Sequence, residues 1–303
     1  MARAEFPERP VKITVPVPPA GIIDQVSRIL APQLSAQLGQ TVIVENRPGA
    51  SGNIAASYVA RSAPDGYTLL AGYSMFHVGN PAMFANLDWD PEKHFTPIAM
   101  LVVSPHVVAV NAQQPFSSLQ ELVQHARSHP NSLNYATSGN GSVPHVGMEL
   151  FKQRNQVQIV HVPYKGAGPA VQDVLAGNVE MTVATPPSVG GFIKAGKLKA
   201  LAVASKERIA MLPDVPTAGE AGFPGFELDA WVALFAPAKV APEVVARLEQ
   251  AVQAALADPG VRSSLQTAGV QVRYMDSAQL ARQVAQDVAY WQPVIRQAGI
   301  RID

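Results

Sequence analysis

The feature that most constrains this 303-residue chain is a regular alternation of short β-branched runs with longer amphipathic runs. The run VKITVPV at residues 11–17 is bounded by prolines and predicts a strand. The following run, DQVSRILAPQLSAQLGQ, has apolar residues at helical spacing. Asp24 is the expected N-cap, and Pro32 is expected to kink the helix or split it. TVIVEN predicts the next strand, and the same order recurs up to residue 111. This alternation is typical of a parallel, doubly wound α/β unit.

A second series of the same kind begins at residue 116, which predicts a second α/β unit. Its first helix carries a capping box, with Ser118 followed three residues later by Glu121. Its predicted strands are SLNYATS, VQIVHVPY, VEMTVATP and LKALAVAS. The run FELDAWVALFAP at residues 226–237 predicts a strand that returns toward the first unit, and two amphipathic helices complete the chain.

Composition excludes several functional classes. Lys and Arg number 23, as do Asp and Glu, and this zero net charge argues against a nucleic-acid partner. The absence of cysteine excludes disulfides and thiolate metal sites. No apolar run approaches the roughly 20 residues that a membrane-spanning helix needs. The seven histidines contain no H-E-x-x-H motif, so we expect neither a metal site nor a cofactor.

The junction ATSGNGSVPH, residues 136–145, is rich in glycine and hydroxyl groups where a predicted strand turns into a helix. Ligands of doubly wound sheets bind beyond the carboxyl ends of the strands. The first N–H groups of a helix have no internal partner, and glycines let a small anion approach them. Ser142 is the expected cap, and Ser138 and Asn140 add donors. The junction predicts a cradle for a carboxylate or phosphate, the alternative being an ordinary connecting loop.

Three further junctions, PVPPAGIID, AGYSMFH and VPYKGAGP, are also built from small residues at predicted strand ends. They are divided between the two series, which favours one ligand cleft lined from both sides. The longer motifs VENRPGASGNIAA, APDGYTLL, VPYKG and LPDVPT lie around them. Taken together, these motifs resemble the Bug family, the periplasmic solute-binding proteins of tripartite tricarboxylate transporters. The resemblance covers almost the whole chain.

The resemblance implies an α/β, two-lobed type II periplasmic binding-protein fold, a Venus flytrap, whose lobes are joined by two crossing strands. Lobe 1 would comprise residues 6–104 plus 226–303, lobe 2 would comprise residues 105–225, and the ligand cleft would lie between them. It further implies a periplasmic monomer whose signal peptide has been removed. The expected partners are a small organic carboxylate and the membrane subunits of a tripartite tricarboxylate transporter, with no catalysis.

The resemblance also assigns ligand contacts, position by position. In lobe 1 they are Pro19, Ala20, Gly21, Ile22, Asp24, Ser74 and Met75. In lobe 2 they are Ser138, Gly139, Asn140, Ser142, His145, Tyr164, Lys165, Gly166 and the strand-end residue Thr185.

The chain departs from the family pattern at two places that bear on the ligand. Ile22 and Ile23 stand where the family often has small residues, and with the YSMF stretch at residues 73–76 they predict an apolar wall. Thr185 stands near where the family usually has Asp or Asn, so the site lacks an acceptor for an amino group. We therefore expect a carboxylate with an apolar or aromatic body, or a dicarboxylate, rather than an amino acid.

Several residue roles stay open at this point. His145 contacts the ligand or bonds the loop, Tyr164 stacks on the ligand or packs the hinge, and Lys165 pairs with a carboxylate or is solvated. Two other functional classes are a hydrolase of small esters, using Ser138 or Ser142 with a histidine, and a ligand-presenting sensor component. The chain has no G-x-S-x-G nucleophile elbow, which disfavours the hydrolase.

Overall fold

The computed structural model describes residues 6–19 and 21–302. Ala20, a predicted ligand contact, lies outside the described residues. The chain forms two compact units. Unit 1 contains the described residues up to Val103 together with Trp231–Pro293, and unit 2 contains Ser104–Ala230 together with Val294–Ile302. The lobe boundaries and the cleft inferred from the resemblance remain predictions.

The elements follow the predicted alternation. The first series is β1 (Val11–Val15), α1 (Ile22–Leu38), β2 (Val42–Asn46), α2 (Asn53–Ala60), β3 (Thr68–Tyr73), α3 (Asn80–Met83) and β4 (Phe95–Ser104). The second is β5 (His106–Asn111), α4 (Leu119–Ser128), β6 (Asn134–Thr137), α5 (Val143–Asn155), β7 (Val160–Pro163), α6 (Ala167–Ala176), β8 (Met181–Ala184), α7 (Pro186–Lys194) and β9 (Leu198–Ala204). The chain continues with β10 (Ala230–Pro237), α8 (Pro242–Ala257), α9 (Pro259–Thr267), β11 (Gln271–Met275) and α10 (Ser277–Gln297).

Unit 1 is built on a six-stranded sheet with the order β11-β4-β10-β3-β1-β2. β1 runs parallel to both β2 and β3, so the carboxyl ends of β1 and β3 lie side by side at one edge. β10 is antiparallel to β3, and β11 is antiparallel to β4. The β-branched residues of β1 are buried because helices cover this sheet, as expected for a central parallel strand.

Unit 2 is built on a five-stranded sheet with the order β7-β6-β8-β5-β9. β6 is parallel to β7 and β8, whereas β5 is antiparallel to β8 and β9. The prediction of purely parallel units is therefore wrong for both sheets, which are mixed. Alternation with helices did not fix strand direction in unit 2: β5 and β6 are joined through α4, yet β5 lies between β8 and β9 and runs antiparallel to both.

A cluster of aromatic rings fills one side of the unit 1 core; we call it the His77 cluster, and it consists of His77, Trp89, Phe95, Trp231 and Phe235. The His77 ring stacks on Phe235 at 4.0 Å between centroids, and the other three rings lie within 6.2 Å of it. Neither nitrogen of His77 has a hydrogen-bond partner among the described residues. Burial lowers the pKa of His77 to about 3, so the ring is neutral near neutral pH.

Helix α1 differs from its prediction at Asp24, and it is not split at Pro32. Its N-cap is Gly21, and Asp24 lies in the first turn. Asp24 does not cap because its carboxylate pairs with Arg28, four residues on. Pro32 does not split the helix, which continues to Leu38 because Leu30 and Leu34, on either side of the proline, both pack into the unit 1 core.

The C-terminal part contains two elements that the sequence patterns did not predict. Pro259-Gly260 has the composition of a turn, yet Pro259 occupies the first turn of α9 and the Asp258 side chain accepts a hydrogen bond from Val261 N at 2.9 Å. The short, half-buried strand β11 follows it. The returning strand begins at Ala230, four residues later than predicted. No helix within residues 6–19 and 21–302 combines the length and hydropathy needed to cross a membrane.

Candidate ligand-binding site

Three neighbouring parallel strands of unit 2 end at the same edge, and a helix begins directly after each of them. The N-caps of α5, α6 and α7 are Ser142, Gly166 and Thr185, and none makes a side-chain capping bond. Ser118 of α4 and Asp258 of α9, by contrast, both accept such a bond. Helices α5, α6 and α7 therefore present uncapped first-turn amides, with their partial positive charge, along the ends of β6, β7 and β8.

The loop at residues 138–142, which we call the β6–α5 loop, is held by its own hydrogen bonds. Gly139 and Gly141 adopt positive φ angles of 133° and 72°, which favour glycine. Gly139 N donates to Thr137 Oγ1 at 3.2 Å, and Ser142 Oγ donates to Gly139 O at 2.7 Å. The predicted side-chain cap is therefore wrong for Ser142: the residue is the N-cap, but its hydroxyl serves the loop and leaves the helix amides uncapped.

Backbone bonds join this loop to the one after β7. Tyr164 N donates to Thr137 O at 3.1 Å, and Gly166 N donates to Ser138 O at 3.2 Å. A Cβ added at Gly139 would lie 3.1 Å from Tyr164 O, so the two loops approach closely. Asn140, like Ser138, has an exposed side chain. The structure thus brings together the predicted residues of the first two unit 2 junctions.

His145 lies in the first turn of α5, below the β6–α5 loop. Gly141 N donates to its Nδ1 at 3.0 Å, and its ring stacks on His161 with centroids 3.8 Å apart and planes 11° apart. Burial is the main cause that lowers the pKa of each ring to about 4. Of the two roles left open for His145, the structure shows the bond to the loop.

The other unit 2 candidates have different environments. Tyr164 Oη donates to Asp173 Oδ2 at 2.6 Å, and burial together with this carboxylate raises the pKa of Tyr164 to about 12. The Lys165 side chain is exposed. Thr185 is half-buried, and its Oγ1 lies 3.1 Å from Ser188 Oγ. No carboxylate stands at this strand end, as the sequence indicated.

In unit 1, the residues after β1 divide into an exposed and a buried set. Pro19 is exposed, and Gly21 caps α1 with backbone alone. Ile22 is half-buried against the core, but Ile23 is only 2% exposed and lies within the core. The predicted contribution of Ile23 to an apolar ligand wall is therefore wrong, because the first turn of α1 directs it into the sheet-facing side.

Asp24 is occupied by protein partners. Both carboxylate oxygens lie 3.0 Å from Arg28 Nε, and Oδ1 also accepts a hydrogen bond from Asn46 Nδ2 at 2.8 Å. The side chain is 3% exposed. A buried carboxylate needs such partners, and this pairing fixes β2 to the start of α1.

The second unit 1 junction follows β3 and begins with Ser74. Met75–Gly79 forms a π-helical turn, a rare conformation often found at functional sites. Met75 is 2% exposed and packs in the core, so its side chain does not add to an apolar surface. Ser74 Oγ is buried and has no hydrogen-bond partner among the described residues, which distinguishes it from the other predicted hydroxyls.

Thr137 supports the β6–α5 loop of the candidate site, and the sequence analysis did not name it. Its Oγ1 lies 2.7 Å from His161 Nε2 and also accepts the Gly139 N–H. In the sequence, its position one residue before the β6–α5 loop indicates a role in that loop. The contact with His161 is not visible there, because the two residues are 24 positions apart.

The family described as "Tripartite tricarboxylate transporter family receptor" matches residues 26–300. The chain belongs to this family. The receptor is similar to the periplasmic binding protein BugD, with 32% identity, a TM-score of 0.81, and coverage of 98% of this chain and 99% of that one. It is 35% identical to R. palustris Rpa4515, solved with adipate, with a TM-score of 0.84 and coverage of 98% and 99%. It is 37% identical to MatC (Rpa3494) from Rhodopseudomonas palustris, solved with malate, with a TM-score of 0.80 and coverage of 96% and 100%.

These likenesses confirm the predicted resemblance to Bug proteins and the periplasmic binding-protein fold of the receptor. The family consists of solute-binding receptors, so the receptor is not an enzyme and the hydrolase alternative is set aside. Within the part of the chain that the structure describes, no three His, Asp or Glu side chains are grouped to hold a metal ion.

Proposed function

We propose that this receptor binds a small dicarboxylate in the periplasm and delivers it to the membrane subunits of a tripartite tricarboxylate transporter. The observation that carries the proposal is the row of three uncapped helix N-termini at the ends of β6, β7 and β8. Each N-terminus favours an anion by about 0.3–1 kcal/mol, and a hydrogen bond to a charged group contributes about 1.5–3 kcal/mol. Several such contacts offset the cost of removing a carboxylate from water.

The choice of a dicarboxylate rests on the chemistry of the candidate residues. Asp24 is the only acidic residue among them, and Arg28 and Asn46 already occupy it. Thr185 supplies a hydroxyl where an acid could have bound an ammonium group. The similar structures of Rpa4515 and MatC contain adipate and malate, which are both dicarboxylates. The ammonium group of a bound amino acid would lose its water without gaining a partner in the site. We therefore expect an amino acid to bind more weakly than a dicarboxylate.

A thermal-shift screen tests the proposal. The panel contains adipate, malate, aromatic mono- and dicarboxylates, tricarboxylates, aspartate and glutamate. A compound present at a hundred times its dissociation constant adds about 2.7 kcal/mol to the free energy of unfolding, which raises Tm measurably. We expect the largest shifts from dicarboxylates without an amino group. A preference for aspartate or glutamate, or a protein that no carboxylate stabilises, would contradict the proposal.

Capture by closure of the two lobes, as the resemblance implies, is a further part of the proposal. Small-angle X-ray scattering with and without adipate measures it directly. A smaller radius of gyration with adipate, at the scattering mass of a monomer, is the expected result, and an unchanged radius at saturation would contradict closure.

Gly139→Ala is expected to weaken dicarboxylate binding by at least about ten-fold. The variant places a side chain at φ 133° and 3.1 Å from Tyr164 O, so the β6–α5 loop must move. Gly177→Ala is the matched control: Gly177 also has positive φ, at 81°, but a Cβ there meets nothing within 4 Å and the residue caps the far end of α6. Isothermal titration calorimetry should show weakened binding in the first variant only; equal losses would mean that backbone strain anywhere in unit 2 impairs binding.

A further inference from the structure

The stacked rings of His145 and His161 lie between helix α5 and strands β6 and β7, and both are joined to the β6–α5 loop. His145 receives the Gly141 N–H at 3.0 Å, and His161 lies 2.7 Å from Thr137 Oγ1. Thr137 Oγ1 in turn accepts the Gly139 N–H. Each ring thus supports one of the two glycines that give the loop its shape.

The bond to Gly141 fixes the protonation state of His145. A backbone N–H can only donate, so Nδ1 must carry a lone pair and the single ring proton must be on Nε2. A protonated ring would have N–H groups at both positions and would repel the Gly141 N–H. The observed loop is therefore compatible only with neutral His145.

The surroundings favour that neutral state. Burial is the largest cause that lowers the pKa of both rings; Glu149 partly raises it, and Lys152 lowers it further. Glu149 is itself held by Lys152 Nζ at 2.6 Å and by Tyr135 Oη at 2.6 Å, so its charge is largely committed to those partners. The titratable groups around the pair and on the adjoining loop are Tyr135, Glu149, Lys152, Tyr164, Lys165 and Asp173.

We propose that His145, as a neutral ring, and His161 are positioning residues, which hold the β6–α5 loop in its binding form and do not themselves contact the ligand. The resemblance placed His145 among the ligand contacts, but its Nδ1 is used by Gly141 and its side chain is buried, with only 8% of the residue exposed. The link from loop shape to ligand affinity rests on the proposed function; the link from the rings to loop shape does not.

Two substitutions of His145 separate positioning from mere packing, with adipate as the probe in calorimetry. His145→Asn offers Oδ1 as an acceptor near the position of Nδ1, so Gly141 keeps a partner; His145→Phe keeps the stacked ring and removes the acceptor. We expect the Asn variant to bind adipate within about three-fold of the parent at pH 7.5, and the Phe variant to bind at least about ten-fold more weakly. Equal affinity of the Phe variant and the parent would overturn the proposal.

His161 is tested in the same way with a pair of its own. His161→Phe keeps the stack but cannot bond Thr137, whereas His161→Gln keeps a polar atom near the position of Nε2. We expect weaker adipate binding in the Phe variant by about three- to ten-fold and recovery in the Gln variant. The opposite order, with Phe binding better than Gln, would show that the ring packs without positioning the loop.

The pH profile supplies a readout that packing alone would not change. Below about pH 4, where the pKa of His145 lies, the parent should lose up to about ten-fold in affinity per pH unit beyond the loss seen with His145→Asn. The parent must stay neutral at residue 145, and the variant has no such requirement. The ratio of the two dissociation constants cancels the titration of adipate itself. A ratio that does not vary with pH would contradict a neutral-ring requirement.

Nuclear magnetic resonance tests the rings without any ligand. Imidazole ¹⁵N shifts at pH 7.5 should show His145 with an unprotonated Nδ1 and a protonated Nε2, and Gly141 should exchange its amide proton faster in His145→Phe than in His145→Asn. A cationic His145, or a proton on its Nδ1, would overturn the proposal. If these shifts are as expected and no panel carboxylate binds, the proposed function has failed and the positioning of the loop stands.

Discussion

Lowering the pH from 7 to 5 is expected to reduce the free energy of unfolding by several kcal/mol. Burial lowers the pKa of His77 to about 3 and of His106 to about 4, whereas a histidine in the unfolded chain has a pKa near 6.5. Below pH 6.5 the unfolded chain therefore binds protons that the folded protein does not, and stability is lost as the pH falls toward the folded values. The linkage relation gives about 2 kcal/mol for each of these two histidines.

His145 and His161 act in the same direction, since the pKa of each is lowered to about 4. The half-buried His161 contributes less than His145, because solvent partly screens it. Asp287 acts in the opposite direction: burial raises the pKa of its carboxyl, so acid favours its folded form. Urea unfolding followed by far-ultraviolet circular dichroism at pH 7, 6 and 5 measures the net change in the free energy of unfolding.

His77→Phe is the variant that tests the cause. A phenyl ring suits the His77 cluster. It gives up the weak polar contact of His77 with the Pro91 backbone, but no hydrogen bond of normal geometry among the described residues. Between pH 7 and pH 5, the free energy of unfolding of the variant should fall by about 2 kcal/mol less than that of the parent. The Asp287 contribution is common to both proteins and cancels. Identical losses in the two proteins would show that His77 does not carry the effect.

Gly147→Ala is expected to destabilise unit 2 by about 1–3 kcal/mol, although alanine is the better helix former. Gly147 lies within α5, and a Cβ there would overlap the methyl groups of Leu228. Leu228 is 1% exposed and cannot move freely, because its amide donates to Ala204 O and its carbonyl bonds the His106 ring, both at 2.8 Å. Overpacking a fixed side chain forces strain into the core.

Gly191→Ala is the matched control, since Gly191 lies within α7 of the same unit. A Cβ at that position meets nothing within 4 Å, so only helix propensity changes, and stability should rise by up to about 1 kcal/mol. Urea unfolding of both variants gives the two changes. Two changes of the same sign would mean that the contact with Leu228 does not control the outcome at Gly147.

The elements that were predicted correctly depend on residues close together in the chain. The capping box of α4 is an example: Glu121 N donates to Ser118 Oγ at 3.2 Å, and Ser117 N donates to the Glu121 carboxylate at 2.6 Å. The role of Asp24 was wrong because Asn46, one of its partners, is 22 residues away. The direction of β5 was wrong for a similar reason, since local hydrophobic pattern indicates a strand but not its orientation.

In the candidate site, too, local features were predicted and contacts between residues distant in the sequence were not. Glycine content and position at a strand end indicated the β6–α5 loop, and those properties are local. Support from His161 through Thr137 depends on strand register, which places Thr137 opposite Pro163 in neighbouring strands. The sequence also did not predict that the N-terminus of α5 is uncapped. Ser142 is a residue type that commonly caps helices, but its hydroxyl donates to Gly139 O instead.

The His77 cluster determines which half of the molecule can be observed by intrinsic fluorescence. The chain has three tryptophans, and Trp89, Trp231 and Trp291 all belong to unit 1, where the third packs beside the first two. Tryptophan emission therefore reports the surroundings of residues in unit 1, while the β6–α5 loop and its helices contain no tryptophan. A tryptophan introduced into unit 2, for example by Phe223→Trp beside Phe151, would give each unit its own signal.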